Sequence, residues 1–193
     1  MDDTPESQRE LTSVSTPPYL EAVNSDLVGI PILDRRRAPN GEPKRMLLVP
    51  PNIATVLTGV LSIDQSPAPR FAHYITIYQL GYFVKVSLSG LDSESKKPFL
   101  ERLAGLSEVW VMCFRDPRAS QWRLFGRFVR QNCFVGIKLH TRENLGQKEN
   151  YNAEGENFIN LWNKLFSQFG YVLGSQADEY LSEPFGDVDN PTL

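Results

Sequence analysis

Three strand-like segments, rich in apolar residues, follow one another in the second half of the chain. They cover 108–114, 121–130 and 133–140, and only short turns separate them. Because such short connections join neighbouring antiparallel strands, the pattern predicts a three-strand meander over 108–140. A run of β-branched and aromatic residues over 74–88, interrupted by a glycine, predicts a β-hairpin before it.

Apolar residues at helical spacing flank these strands. The spacing predicts helices over about 51–63, 93–105 and 153–169, and glycines stand where the second and third should end. The last of them carries its apolar stripe on Phe158, Trp162 and neighbouring large residues. These elements predict an α+β fold in which helices flank an antiparallel sheet.

The distribution of residue types divides the chain into three parts. Residues 1–43 are rich in proline, serine and acidic residues, which predicts a largely disordered N-terminal segment. Residues 44–175 are expected to form a single α+β domain, and residues 176–193 an acidic tail. Hydrophobic residues make up 41% of the 193 residues, which is enough for one domain with a packed core.

Composition also excludes several classes of protein. The sequence lacks the run of about 18 apolar residues that a membrane-spanning helix needs, and its start is acidic and polar, unlike a signal peptide. We therefore expect a cytoplasmic protein without membrane partners. Cys113 and Cys133 are too few for a disulfide framework or a zinc site and are expected to be buried and reduced. Since there is also no phosphate-binding glycine loop and no metal-ligand spacing, we expect no metal and no cofactor.

Charge is distributed unevenly along the chain. The formal net charge is −3, which argues against a general attraction to nucleic acid. Residues 115–148, however, contain eight basic and two acidic residues, a net charge of +6, which leaves −9 for the rest. This asymmetry predicts a basic site between acidic flanks.

The middle predicted strand suggests where that basic site lies. Period-two alternation places Arg123, Phe125 and Arg127 on one side and Trp122, Leu124 and Phe128, which suit a core, on the other. In the next strand we expect Phe134, Lys138 and His140 to face solvent. If these sides coincide, they form one cationic and partly aromatic surface. Its predicted members are Arg123, Phe125, Arg127, Phe134, Lys138 and His140, with Arg118 in the preceding turn and Arg142 and Lys148 after the last strand.

Such a surface has the chemistry of an RNA site. Guanidinium groups pair with phosphate through two hydrogen bonds, and flat side chains stack on exposed bases. Fixed cations also stabilise the charge that develops when a phosphodiester is cleaved. The alternative is a solvated sheet face on which arginine stems cover apolar surface. His140 has the chemistry of a general acid or base, although a lone histidine at a strand end is more often structural.

Residues 93–169 resemble the RelE/HigB/ParE superfamily of small bacterial toxins. The resemblance rests on Gln121-Trp122-Arg123-Leu124-Phe125-Gly126, on Ile137-Lys138-Leu139-His140-Thr141-Arg142, and on a final helix near Tyr151. It implies a RelE-like core with N-terminal additions. It also implies a metal-independent endoribonuclease that cuts messenger RNA, with the ribosome and a cognate antitoxin as partners.

The resemblance further implies a role for each matching residue. Arg123 would bind the scissile phosphate, and Arg142 would neutralise developing charge. His140 or Lys138 would assist proton transfer, and Tyr151 would stack on or orient the RNA. Arg118, Phe125, Arg127, Phe134, Lys138 and Lys148 would complete the RNA-binding surface.

The sequence leaves other functions open, including that the chain is not an enzyme. One is a non-enzymatic module of phage or mobile-element type that binds RNA or a protein. Another is a gyrase-binding toxin like the ParE branch. The first depends on exposed aromatic residues such as Phe125 or Phe134, whereas the nuclease depends on Arg123.

Overall fold

A computed structural model of the protein describes residues 19–32, 42–59, 68–89, 97–115, 121–146 and 148–187. Its strands are β1 (Tyr19–Glu21), β2 (Val28–Gly29), β3 (Met46–Val49), β4 (Val84–Ser87), β5 (Leu100–Arg102), β6 (Trp110–Phe114), β7 (Trp122–Arg130), β8 (Cys133–Thr141) and β9 (Phe185–Asp187). Its helices are α1 (Pro51–Thr58), α2 (Ala68–Gln79), α3 (Arg142–Leu145) and α4 (Lys148–Phe166), and a 3-10 turn covers Ala177–Glu179. None of the helices in these ranges combines the length and the apolar character that crossing a membrane requires.

The strands form one mixed sheet. Eight follow the order β2-β3-β8-β7-β6-β5-β4-β9, and β1 pairs with β8 beside this path. The pairs β3–β8, β4–β5 and β4–β9 are parallel, and the other pairs are antiparallel. The sheet curls into a half-barrel. One edge of β8 is divided between two partners, because β3 pairs with its first residues and β1 with Lys138, Leu139 and His140.

The predicted fold class, a RelE-like α+β core around a three-strand meander, is therefore wrong. The expected strands are present as β6, β7 and β8, but they are the middle of a larger mixed sheet. The physical reason is that short-range patterns do not show which distant segments pair. β3 joins the sheet across more than 80 residues, and β9 joins β4 across about 100.

Two element assignments are also wrong. Residues 74–79 belong to helix α2 and not to a hairpin, because Phe71, Ile75 and Tyr78 recur at helical spacing and are fully buried. Burial of this stripe outweighs the β-propensity of the individual residues. In the described part of the helix expected over 93–105, residues 100–102 form strand β5, which lies between β4 and β6.

Both faces of the sheet are buried. On one face, α1, α2 and the C-terminal segment pack through residues such as Ile53, Ile75 and Tyr180 against Leu124 and other sheet residues. On the other face, α4 supplies Phe158, Trp162 and Phe166, which pack against Val111, Phe125 and Val135. The segment expected to be an acidic tail contributes the 3-10 turn and β9.

A buried arginine holds this C-terminal segment to the body of the fold. Arg45 is fully buried and donates hydrogen bonds to the carbonyl oxygens of Tyr82, Ser182 and Pro184 at 3.1, 2.8 and 3.0 Å. The C-terminal residues therefore complete the core on the face of the sheet opposite α4.

Candidate binding groove

Strand β7 alternates as the sequence predicts, but neither of its faces is exposed. Trp122, Leu124 and Phe128 lie in the core beneath α1 and α2. Arg123 and Arg127 point to the opposite face, where α4 covers them and leaves 2% and 1% of each residue exposed. The expectation that this face is solvated is wrong, because the last helix of the chain packs on it.

A β-bulge in β8 changes which face of the sheet the residues on either side of it point to. Phe125 pairs with Lys138 and Gly126 pairs with Gly136, so Ile137 has no opposite residue. Strict alternation would place Phe134 on the same face as Lys138 and His140. Phe134 instead packs in the core beneath α1 and α2, while Lys138 and His140 face α4.

A groove of about 830 Å³ opens between α4 and the end of β8. Its charged and imidazole groups come from β1, β8 and α4, and its amides come mainly from α4. The polar residues that line it are Glu21, Lys138, His140, Asn144, Asn150, Glu154, Asn157, Asn160 and Lys164.

At the centre of the groove lies a four-residue ionic cluster, which we call the Lys138 cluster. It comprises Glu21, Lys138, His140 and Glu154. The Lys138 Nζ atom lies 2.5 Å from Glu154 Oε1 and 3.3 Å from Glu21 Oε2. The His140 Nε2 atom lies 3.0 Å from the same Glu154 oxygen. Burial would raise the pKa of Glu154, but hydrogen bonds and attraction from His140 and Lys138 outweigh it and lower that pKa to about 2.

Arg123 and Tyr151 lie beside this cluster. Arg123 is directly opposite His140 across the β7–β8 pair, and it donates to the Trp122 carbonyl oxygen at 2.9 Å and to Gln121 Oε1 at 3.2 Å. The centre of the Phe125 ring lies 5.6 Å from that of His140 and 6.3 Å from that of Tyr151. Burial raises the pKa of Tyr151, although attraction to Arg123 opposes the shift.

The structure thus brings all four residues with predicted catalytic roles to one end of the sheet. Arg142 is exposed at its rim and donates to the same Gln121 oxygen as Arg123, at 3.3 Å. Proximity does not make all of them accessible, however, because the buried Arg123 and Tyr151 do not line the groove, whereas His140 does.

The predicted RNA-binding residues are dispersed. Of those with described side chains, only Lys138 lines the groove. Phe125 is buried beneath α4, Phe134 lies in the opposite core, and Arg127 sits among aromatic rings. Arg118 lies outside the described residues, and for Lys148 only the backbone, at the start of α4, is described.

Sequence reasoning missed the carboxylates and the amides. From the sequence, Glu154 is interpreted as an acidic residue near the start of the last helix that stabilises the helix N-terminus. Glu21 lies in a segment expected to be disordered. A signal for the amides was present, because α4 contains five asparagines in 19 residues, an unusual number for a helix. Asn150, Asn157 and Asn160 share the face that lines the groove.

The two cysteines are free and buried, as predicted. Burial raises the pKa of Cys113 to about 12, and the neighbouring Glu101 carboxylate adds to the shift. The Cys113 thiol is therefore protonated and unreactive at neutral pH. Within the described ranges, no group of three or more histidine, cysteine or acidic side chains is arranged to hold a metal ion.

Comparisons of the chain with family models, curated proteins and solved structures give no match.

Proposed function

We propose that this chain is a non-enzymatic protein-binding module whose groove holds an extended segment of a partner protein. The observation that carries the proposal is the row of amides on α4. Asn150, Asn157 and Asn160 are exposed and line the groove. Among the described residues, none of the three side chains has a hydrogen-bond partner.

These asparagines do not serve the stability of the helix. Asparagine at an exposed helical position is less favourable than alanine by about 0.5 kcal/mol, and lysine, glutamate or glutamine would also be better there. An amide side chain, however, offers both a donor and an acceptor. It can therefore pair with the C=O and N–H groups of an extended peptide, as another strand would.

The length of the row suits a short peptide. The lining residues of α4 run from Asn150 to Lys164, which at 1.5 Å per residue spans about 21 Å. An extended chain covers that distance with about six residues.

The charge of the groove favours a protein over RNA. Among the residues with described side chains, its lining contains two lysines, Lys138 and Lys164, and two glutamates, Glu21 and Glu154, so these lysine and glutamate charges balance. RNA affinity depends on an excess of positive charge along the phosphates. The net charge of +6 over 115–148 does not supply it, because Arg123, Arg127 and Lys138 are buried.

The ribonuclease reading is the second candidate. It draws support from the closeness of Arg123, His140, Arg142 and Tyr151 at one end of the sheet. It draws less support than the binding module, because Arg123, Arg142 and Tyr151 do not line the groove, in contrast to Lys138 and His140. The test must therefore include RNA.

Panning a random-peptide phage library tests the proposal directly. The wild type is compared with the Asn150→Ala, Asn157→Ala, Asn160→Ala triple variant, which removes the groove amides. The matched control is Asn152→Ala with Asn163→Ala, because these asparagines are exposed on the same helix and do not line the groove. Alanine favours the helix in both variants, so loss of folding does not explain a difference.

We expect wild type and control to enrich the same peptides and the triple variant to lose them. Equal enrichment by all three proteins, or none by the wild type, overturns the proposal. A parallel incubation with ribosomes and a reporter messenger RNA compares wild type with Arg123→Ala, Arg142→Ala. Cleavage of the messenger RNA by the wild type but not by the double variant would contradict the binding module and support the ribonuclease.

A further inference from the structure

The two carboxylates on Lys138 are held very differently. Glu154 is 14% exposed at its side chain, lies 2.5 Å from Nζ, and is fixed on α4 with a second contact to His140. Glu21 is 46% exposed, lies 3.3 Å from Nζ, and belongs to a strand of three residues. A pair that is half open to water is held weakly, whereas one carboxylate on a buried ammonium is indispensable.

We infer that the partner segment carries an acidic side chain that takes the place of Glu21 on Lys138. The inference rests on the proposed function and names the chemistry of its ligand. In the free protein, Glu21 satisfies Lys138 from the solvent side of the groove. An ammonium group has three donors, so Lys138 can keep Glu154 and exchange its second carboxylate.

The charge of the incoming group follows from the surroundings. Lys138 is 5% exposed, and beside the charge of Glu154 it holds one further negative charge, that of Glu21. A singly charged group that replaces Glu21 leaves the total charge of the carboxylates around Lys138 unchanged. A dianionic phosphate in the same place would face Glu154, and the only other lysine or arginine that lines the groove with a described side chain is Lys164, further along α4. A singly charged aspartate or glutamate side chain therefore fits better than a phosphorylated one.

A second acidic residue has a favourable place further along the groove. Lys164 lies ten residues beyond Glu154 on α4, about 15 Å along the helix axis. An extended peptide covers this distance in about four to five residues. The preferred ligand is therefore a peptide with two acidic side chains at that separation and hydrogen-bonding backbone between them, opposite Asn157 and Asn160.

The experiment uses the peptide that panning on the wild-type chain enriches most strongly. Its dissociation constant is measured by calorimetry on the wild type, on Glu21→Gln and on Glu156→Gln. Glu156→Gln is the control, because it makes the same change in net charge at a residue that is exposed on α4 outside the groove. Each protein is also titrated with a peptide in which the acidic residue assigned to Lys138 is replaced by its amide.

We expect Glu21→Gln to tighten binding by about fivefold, the scale of a weak exposed ion pair, and Glu156→Gln to leave it unchanged. The amide peptide should bind more weakly and should no longer distinguish Glu21→Gln from wild type. Unchanged or weaker binding to Glu21→Gln overturns the exchange on Lys138.

The outcomes separate this inference from the proposed function. If the triple asparagine variant loses the peptide but Glu21→Gln gains nothing, the groove binds peptides and Lys138 does not select their charge. If the triple variant binds like the wild type, or if panning enriches no peptide, both the proposed function and the inference fail.

Discussion

Lys138 and Arg127 are buried cations on the same face of one sheet, beneath the same helix, yet their surroundings differ in kind. Lys138 contacts the carboxylates of Glu154 and Glu21 at 2.5 and 3.3 Å. Arg127 forms no ion pair within the described part of the chain. Its guanidinium carbon lies 3.9 Å from the ring centre of Tyr171, 5.3 Å from that of Trp162 and 5.6 Å from that of Phe158.

The hydrogen bonding of the two cations differs as well. Arg127 donates from Nη2 to the Ser107 carbonyl oxygen at 3.0 Å, while Nε and Nη1 find no partner in the described ranges. Burial lowers the pKa of Arg127, and Tyr171 and Glu108 partly oppose the shift. Arg127 therefore fills an aromatic cage that Phe158, Trp162 and Tyr171 of the same chain form. A buried cation marks a ligand site only where, as at Lys138, a groove gives access and one partner can be exchanged.

The largest expected effect comes from removing the fixed partner of Lys138. Glu154→Leu leaves Lys138 buried beside His140 without its main carboxylate, and we expect a loss of about 3–5 kcal/mol in the free energy of unfolding. Urea unfolding followed by circular dichroism measures it. Glu156→Leu, at an exposed position of the same helix, should change that free energy by no more than about 0.5 kcal/mol. Equal stability of Glu154→Leu and wild type would contradict this prediction, because it would mean that the Lys138 ammonium is hydrated when Glu154 is absent.

At Arg127 the same reasoning predicts a different pattern. Arg127→Ala should lower the free energy of unfolding by about 3 kcal/mol, because it empties the cage formed by Tyr171, Trp162 and Phe158. Arg127→Met should cost less than about 1 kcal/mol, because a flexible apolar chain fills the cage without burying a charge. Chemical unfolding of the two variants side by side makes the comparison. Equal losses would mean that the guanidinium contacts, and not the filled volume, stabilise this region.

This contrast shows how far the sequence predicts the site. Alternation along β7 identifies the residues that share a face. Arg123, Phe125 and Arg127 do lie on one face of the sheet, and Trp122 and Leu124 lie on the other. Alternation does not show whether that face meets water. The answer depends on α4, whose docking buries Phe158, Trp162 and Phe166 against the sheet.

The sequence also could not predict the register that assembles the Lys138 cluster. The bulge at Ile137 follows from how β8 pairs with β7, and neither strand shows it alone. Glu21 reaches Lys138 across more than 100 residues through the β1–β8 pair. Patterns within a segment thus predicted the strands β6, β7 and β8, whereas their place in a larger mixed sheet and the groove depend on long-range pairing.

Acid titration should separate the two regions by a smaller effect. The pKa of Glu154 is lowered from 4.5 to about 2, so its ionised form is favoured in the folded state. This contribution to the free energy of unfolding is present in full above about pH 4.5 and is lost as pH falls towards 2. We expect Glu154→Gln to show a shallower decline than wild type between these pH values.

Arg127→Met provides the comparison, because it leaves the contacts of Glu154 intact and should keep the wild-type decline. The free energy of unfolding is measured by urea titration at intervals from pH 5 to pH 2. Identical pH dependence of Glu154→Gln and wild type would contradict the assignment of this stabilisation to the Lys138 cluster.

The smallest effect concerns the second lysine of the groove. Lys164 is exposed, so its attraction to an acidic peptide is weak, and Lys164→Gln should weaken binding only about twofold at low salt. Arg130→Gln, an equal charge change at an exposed residue outside the groove, should have no effect.

Calorimetry at low and high salt distinguishes the two lysines, because near 1 M salt the screening length falls to about 3 Å. The contribution of Lys164 should vanish there, whereas part of the gain from Glu21→Gln should persist, since Lys138 is buried and a partly buried pair is screened less than an exposed one. If both effects vanish together, the peptide is held by general surface charge and the ammonium of Lys138 does not enter its recognition.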